Sequence, residues 1–186
     1  FLGKMDAANV DLKAFSDDFY RKISSGALQP VLDTLVYLKR ETKAWFEITT
    51  LLIPGENDSD HELHAMSEWI AEDLGMEVPL HFSAFHPDFQ MTDHPATPPA
   101  ALKRARDIAM SKGLKYVYTG NVHDPQGGST YCGTCGQLLI ERDWYEVGAY
   151  HLKNKNQCRQ CGAVCAGEFD ERPGTWGSKR MPVRIN

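Results

Sequence analysis

Two short cysteine pairs constrain this chain more than any other feature in it. Cys132-Gly-Thr-Cys135 and Cys158-Arg-Gln-Cys161 are both C-x-x-C, and 22 residues separate them. Two such knuckles can place four thiolates at the corners of a tetrahedron, the geometry that Zn²⁺ prefers, and the spacing is close to the zinc-ribbon pattern. Four sulfurs leave no open coordination position. Zinc held by Cys132, Cys135, Cys158 and Cys161 is therefore expected to be structural and to activate no water. Iron in the same set, two disulfides or a redox dithiol are the other readings of these residues. Disulfides suit export, of which the sequence carries no sign, and a redox C-x-x-C normally opens a helix in a thioredoxin-like unit. Cys165, the fifth cysteine, is expected to be a buried thiol outside the metal set. Between the pairs, residues 138–140 and 144–150 are strand-like, with Glu141, Arg142 and Asp143 as the turn. A hairpin between two knuckles is the zinc-ribbon arrangement, and so small a module takes most of its folding free energy from the metal.

With 186 residues, the chain can bury one substantial core and carry that module besides. Its 25 acidic and 20 basic residues give a net charge of −5, which argues against nonspecific nucleic-acid binding. No apolar stretch reaches membrane-spanning length, and no signal-peptide pattern is present, so the cytoplasm is the expected compartment. The chain begins Phe1-Leu2-Gly3-Lys4 without an initiator Met. It is read as a piece of a longer protein whose earlier part is missing.

Before residues 124–129 (Asp-Pro-Gln-Gly-Gly-Ser), strand-like and helix-like stretches alternate. Residues 6–12, 45–53, 79–85 and 114–119 are predicted strands. Residues 16–24, 28–42, 59–74 and 97–113 are predicted helices, the second with Val31, Leu32, Leu35 and Leu38 on a helical period. Ser59 and Glu62 form a predicted capping box, with Glu62 reaching back to the start of its helix. Thr97 is the expected capping hydroxyl of the helix that Pro98 and Pro99 open. Pro54-Gly55 stops one strand; Gly75 and Gly113 end two helices. The order implies parallel strands joined by right-handed crossovers, in a (β/α) barrel segment or an open sheet. The fold class is α/β: a partial parallel (β/α) barrel over residues 1–125, a zinc-ribbon-like β module over 126–170 and an extended tail over 171–186.

Ligands of parallel sheets gather at the C-terminal ends of the strands. Asp11 and Lys13 end the first strand there. Glu47 and Thr49 share one face of the second, His81 and Ser83 one face of the third, and His86 follows. Each has a bland reading beside the functional one. Asp11 and Lys13 can pair with each other, Glu47 can sit in a structural ion pair, and His81 can be a satisfied core histidine. Thr49 and Ser83 can bond nearby backbone. Their placement at one rim makes them candidates as a set.

Four strings carry a resemblance. Asn-Val-Asp-Leu-Lys-Ala-Phe at 9–15, Trp-Phe-Glu-Ile-Thr-Thr-Leu-Leu-Ile-Pro-Gly at 45–55 and His-Phe-Ser-Ala-Phe-His-Pro at 81–87 resemble radical S-adenosylmethionine enzymes of the pyruvate formate-lyase activating type. With Tyr-Val-Tyr-Thr-Gly-Asn-Val-His at 116–123 and the cysteine module after it, the chain is more closely similar to the radical SAM enzymes of the AmmeMemoRadiSam system. The strings occur in the expected order, from Asp6 to about Gly167.

The resemblance implies a partial (β/α)₆ barrel whose [4Fe–4S] cluster sits in a C-x-x-x-C-x-x-C loop after the first strand. That loop is absent here; Cys158, Cys161 and Cys165 have the reversed spacing. The full-length enzyme would cleave S-adenosylmethionine reductively to a 5′-deoxyadenosyl radical that abstracts a hydrogen atom from an unknown protein or small-molecule substrate. This chain alone is expected to be inactive. The resemblance further implies that Asp11 and Lys13 contact the amino-acid end of S-adenosylmethionine and that His86 lies near it. Where the activating enzymes carry an Arg, this chain has Thr49, with Glu47 two residues earlier. Thr49 joins the expected cofactor-binding set; Glu47 and His81 are the catalytic candidates. The alternative is a zinc-stabilised binding module without chemistry, mounted on an α/β platform.

Overall fold

Eight-residue alternation in one strand sets the layering. In Trp-Phe-Glu-Ile-Thr-Thr-Leu-Leu, Phe46, Ile48, Thr50 and Leu52 are buried and the residues between them are half-buried. A strand sends successive side chains to opposite faces, so one face is sealed and the other is not. The computed structural model describes residues 5–174. It divides into two compact units, Phe1–Val122 and His123–Asn186.

In the first unit the strands are β1 (Ala7–Asp11), β2 (Trp45–Leu52), β3 (Leu80–Ala84) and β4 (Val117–Gly120). They form one sheet in the order β1-β2-β3-β4, every pair parallel. Each strand lies beside the one before it in sequence, so the sheet is wound in one direction, as a (β/α) barrel is and a doubly wound sheet is not. The connections are α1 (Asp17–Lys22) and α2 (Leu28–Glu41), then α3 (Asp60–Trp69), which continues as a π-helical turn through Leu74, then α4 (Pro99–Ser111). Leu35 and Leu38 of α2, Leu63 and Met66 of α3 and Leu102 and Ala105 of α4 join Ile48, Leu80, Phe82 and Val117 in one buried cluster. These strand residues all lie on the same face. Same-hand crossovers between sequential neighbours put α2, α3 and α4 there. At the C-terminal ends of the strands, Phe19 and Tyr20 of α1 pack with Ala14, Ile53 and Phe85.

Local signals explain most helix ends. Ser16 caps α1 by accepting from Phe19 N–H. Ser59 caps α3 by accepting from Glu62 N–H. Gly75, at φ 100°, ends the π turn with its N–H on Ile70 C=O. Two capping expectations are corrected. The Glu62 carboxylate does not return to its own helix; it accepts from Phe15 N–H at 2.6 Å, in the loop after β1. The Thr97 hydroxyl makes no cap bond to α4, whose N-cap is Pro98. It donates to Leu52 C=O at 2.5 Å and accepts from Phe85 N–H at 2.9 Å. In both cases orphan backbone groups at strand ends compete for the side chain and win, since leaving them unpaired inside costs about 1–3 kcal/mol each.

The second unit opens with α5 (Pro125–Gly128), capped by Asp124, and a three-stranded antiparallel sheet. Its strands are β5 (Thr130–Tyr131), β6 (Leu138–Asp143) and β7 (Glu146–Tyr150); β8 (Leu152–Lys153) then pairs with β9 (Gln157–Cys158). The expected turn at Glu141, Arg142 and Asp143 is strand instead. Arg142 pairs with Val147 and Asp143 with Glu146, and the turn is Trp144-Tyr145, with Trp144 at φ 54°. Glu141 and Asp143 are exposed on one face of β6, while Arg142, half-buried on the other, donates to Thr130 Oγ1 at 2.6 Å. The fold is therefore α/β, a parallel four-stranded sheet followed by a small antiparallel β module with four clustered cysteines. Of the expected tail, residues 175–186, which include Gly177 and Pro182, lie outside the described residues. Among the described residues no helix is long and apolar enough to cross a membrane.

Candidate functional site

The face of the parallel sheet opposite α2, α3 and α4 gathers polar side chains. Register aligns Asp11 with Thr49, Thr49 with His81, and His81 with Tyr118. One row across four strands thus carries a carboxylate, a hydroxyl, an imidazole and a phenol. Asn9 and Glu47 lie one step below, and Ser83 beside Gly120 one step above. A β-carbon on Gly120 would fall 3.0 Å from the Ser83 hydroxyl, so glycine leaves that oxygen room.

The contacts within this face are specific. Thr49 donates its hydroxyl to Asn9 Oδ1 at 3.0 Å, a side-chain partner rather than the backbone one expected. Glu47 Oε2 lies 2.6 Å from His81 Nε2, and Glu47 Oε1 accepts from the Trp45 indole at 3.1 Å. The His81 ring stacks on Tyr118 with centroids 4.9 Å apart and planes at 25°. Lys13 Nζ pairs with Asp11 Oδ2 at 2.9 Å, and both side chains are about half exposed. His86 is exposed in the loop after β3. Asp11, Glu47, Thr49 and His81 therefore share one face, Lys13 joins through Asp11, and His86 stands just beyond the strand end.

Asn57 is a residue that sequence reasoning missed. It is fully buried and holds the strand ends in place. Its amide donates to Lys13 C=O at 2.6 Å and to Leu51 C=O at 2.9 Å, and its oxygen accepts from Ile53 N–H at 2.7 Å. Buried Thr50 adds a bond to Leu12 C=O at 2.7 Å. Together they tie the backbone on which Asp11 and Lys13 stand to β2. Nothing in the sequence around Asn57 marks it, since a turn asparagine is usually solvated.

In the second unit the four knuckle cysteines converge. Their sulfurs all lie within 4.8 Å of one another, with Cys132 to Cys161 at 3.6 Å and Cys135 to Cys158 at 3.8 Å. All are free thiols. A tetrahedron with metal–sulfur bonds of about 2.3 Å has edges of about 3.8 Å, so the set fits a tetrahedral ion. The two knuckles are built alike. Cys132 N–H donates to Gln137 C=O and Cys158 N–H to Ala163 C=O; Gly136 N–H returns to Cys132 C=O and Gly162 N–H to Cys158 C=O. Gly136 and Gly162 sit at φ 72° and 77°, which is why glycine follows each pair. That repeated C-x-x-C-G was the readable signal for both.

Backbone amides also stabilise the thiolates. The N–H groups of Cys161 and Gln160 draw the Cys158 thiol down to about 7. Burial opposes ionisation of Cys132, yet the N–H groups of Cys135 and Thr134 bring it below the usual thiol range. The Gln137 N–H pulls Cys135 the same way, but burial and the sulfurs of Cys161, Cys132 and Cys158 push it up to about 12. Crowded sulfurs that resist joint ionisation are what a bound cation relieves. Cys165 is buried outside this group, its N–H on Asn156 C=O.

No family model matches the chain. It is 43% identical over 159 residues to an uncharacterized protein of Methanocaldococcus jannaschii, MJ0808, covering 85% of this chain and 47% of that protein. The chain thus spans about half the length of the curated relative it matches. Among solved structures it matches a domain of pyruvate-formate lyase-activating enzyme from Bacteroides vulgatus, with a TM-score of 0.55 and 14% identity, over 62% of this chain and 68% of that one. That likeness establishes a shared fold.

Proposed function

We propose that this chain is part of a radical S-adenosylmethionine enzyme of the activating-enzyme type and carries a module built on structural zinc. The observation that carries the reading is the polar row on the face opposite α2, α3 and α4, because a barrel interior is where such an enzyme holds its cofactor. The shared fold with an activating-enzyme domain supports it. So does a relative about twice as long, which leaves room for a cluster-binding segment.

Asp11, Lys13, Thr49 and His86 are the proposed cofactor-binding residues. The exposed Asp11–Lys13 pair fits the amino-acid end of S-adenosylmethionine. Lys13 can turn to the cofactor carboxylate and Asp11 to its ammonium group, charge for charge. Asn57 fixes the backbone beneath that pair. The [4Fe–4S] cluster would supply the electron for reductive cleavage of the cofactor, and its ligands would lie outside these 186 residues. Cys132, Cys135, Cys158 and Cys161 would hold zinc, which has no accessible redox couple and here no open position.

Two preparations test the reading. The chain as it stands should contain about one zinc per chain, bound through four sulfurs, and should release no 5′-deoxyadenosine. A version extended through the native upstream sequence should bind iron and form 5′-deoxyadenosine under strong reductant without oxygen. If the extended version binds no iron, the non-catalytic binding module takes the place of the enzyme. Iron in the four-cysteine site would overturn the zinc assignment alone.

A further inference from the structure

We infer that His81 is a proton-accepting base within the barrel face, with Glu47 as the residue that positions it. This deepens the reading above, since the pair lies on the same face as the proposed cofactor residues. It would serve a substrate carrying a dissociable O–H or N–H group. The inference stands on how donors and acceptors are distributed. The Trp45 indole can only donate, and it donates to Glu47 Oε1. Glu47 Oε2 faces His81 Nε2 at 2.6 Å. An ionised carboxylate can only accept, so opposite it Nε2 carries the proton of the neutral imidazole. The other ring nitrogen, Nδ1, then carries a lone pair. Nδ1 makes no hydrogen bond among the described residues. Tyr118 stacks on the ring and fixes its plane.

A carboxylate that holds one imidazole nitrogen protonated leaves the other as a base, and it stabilises the imidazolium once that base has taken a proton. A pair serving only to fill the core would be sealed, whereas the His81 side chain is 30% exposed and that of Glu47 36%. They lie opposite the face the helices seal. In the proposed step the substrate X–H bond breaks and the Nδ1–H bond forms. The electron pair stays on the substrate atom, and the new positive charge sits beside the Glu47 carboxylate. No oxidant or reductant enters.

The test uses this chain without a cluster, so its outcome is independent of the radical-enzyme reading. Nitrogen chemical shifts of histidine-labelled protein, measured above the histidine titration range, report the tautomer. Expected are a protonated Nε2 and an unprotonated Nδ1 for His81. Diethyl pyrocarbonate, mapped by mass spectrometry, should modify His81, and Glu47→Gln should slow that reaction several-fold and mix the tautomers. A purely structural pair would leave the rate of modification unchanged in Glu47→Gln. A proton on Nδ1, a doubly protonated ring above the titration range, or no modification of the native chain would each overturn the proposal. All three are read on the native protein, so a variant that misfolds leaves the test intact.

Discussion

In the parallel-sheet unit, Leu35, Ile48, Leu63, Met66, Ile70, Leu80, Phe82 and Leu102 are wholly excluded from water. Among the described residues of the cysteine module, the buried hydrophobics are Leu139, Ile140 and Leu152 with the thiols of Cys132, Cys158 and Cys165. At about 1.5–3 kcal/mol for each large apolar side chain, the first set can offset the entropy of ordering a domain. Three such side chains cannot do so for a module of this length. Its two knuckles instead spend backbone hydrogen bonds and glycine conformations on aiming four sulfurs at one point. The two units therefore differ in kind: one rests on apolar burial, and the other is arranged around four cysteines that could hold a metal ion.

The sharpest way to break that contrast is to remove one ligand. Cys158→Ser, or chelation of the native chain, should unfold the module, a loss on the order of 10 kcal/mol. Hydrogen exchange and limited proteolysis should open residues around both knuckles while the sheet unit keeps its protection. A single shared unfolding transition, equally lowered everywhere, would show that the units are not stabilised separately. The reciprocal change is Leu102→Ala, at a fully buried position of α4. A cost of about 2–5 kcal/mol is expected, confined to the sheet unit, with the metal content of the module unchanged.

A smaller effect sharpens the comparison within the sheet unit, where polar rather than apolar groups hold the rim. Asn57→Ala removes the side chain that satisfies Lys13 C=O, Leu51 C=O and Ile53 N–H. Water entering the vacated site can re-satisfy part of these three groups, so denaturant melts should show a net loss of about 1–3 kcal/mol rather than that amount for each. Asn57→Asp should be no better, because a carboxylate has no N–H for the two carbonyls.

The sequence is most legible where a period or a spacing repeats. Alternation of buried residues along β2 and the 3–4 spacing of leucines in α2 are local patterns with one good structural solution. The cysteine spacing likewise brings all four sulfurs together. Bonds between segments distant in sequence were not legible. Glu62 and Thr97 have the right residue types for caps, but a loop N–H after β1, 47 positions away, and the carbonyl that ends β2, 45 positions away, take them instead. Tyr118 reads as a strand hydrophobic, and only pairing register sets it against His81; Trp45 shares a face of β2 with Glu47, but its apolar bulk hides the indole N–H that reaches the carboxylate. The turn at Trp144-Tyr145 escaped because neither residue is a usual turn former.

Glu62 gives the smallest and most discriminating test of that difference between local and distant bonding. Its carboxylate accepts from Phe15 N–H across 47 residues of sequence and is half-buried. Burial raises its pKa above the ordinary 4.5; the Phe15 N–H opposes this and does not cancel it. The folded state therefore binds a proton more readily than the unfolded one. Its contribution is fully present below pH 4.5 and is lost as pH rises through the folded value. Glu62→Gln keeps an oxygen for Phe15 N–H and removes the charge. It should leave stability unchanged or raised at neutral pH, and it should flatten the decline with pH just above the ordinary glutamate range. Glu62→Ala should cost about 1 kcal/mol at neutral pH, the net worth of one hydrogen bond. Urea melts of the three proteins across that range decide the matter. If the glutamine variant is less stable than the native chain at neutral pH, the negative charge itself stabilises the fold, and Glu62 acts on its helix N-terminus rather than on the distant loop.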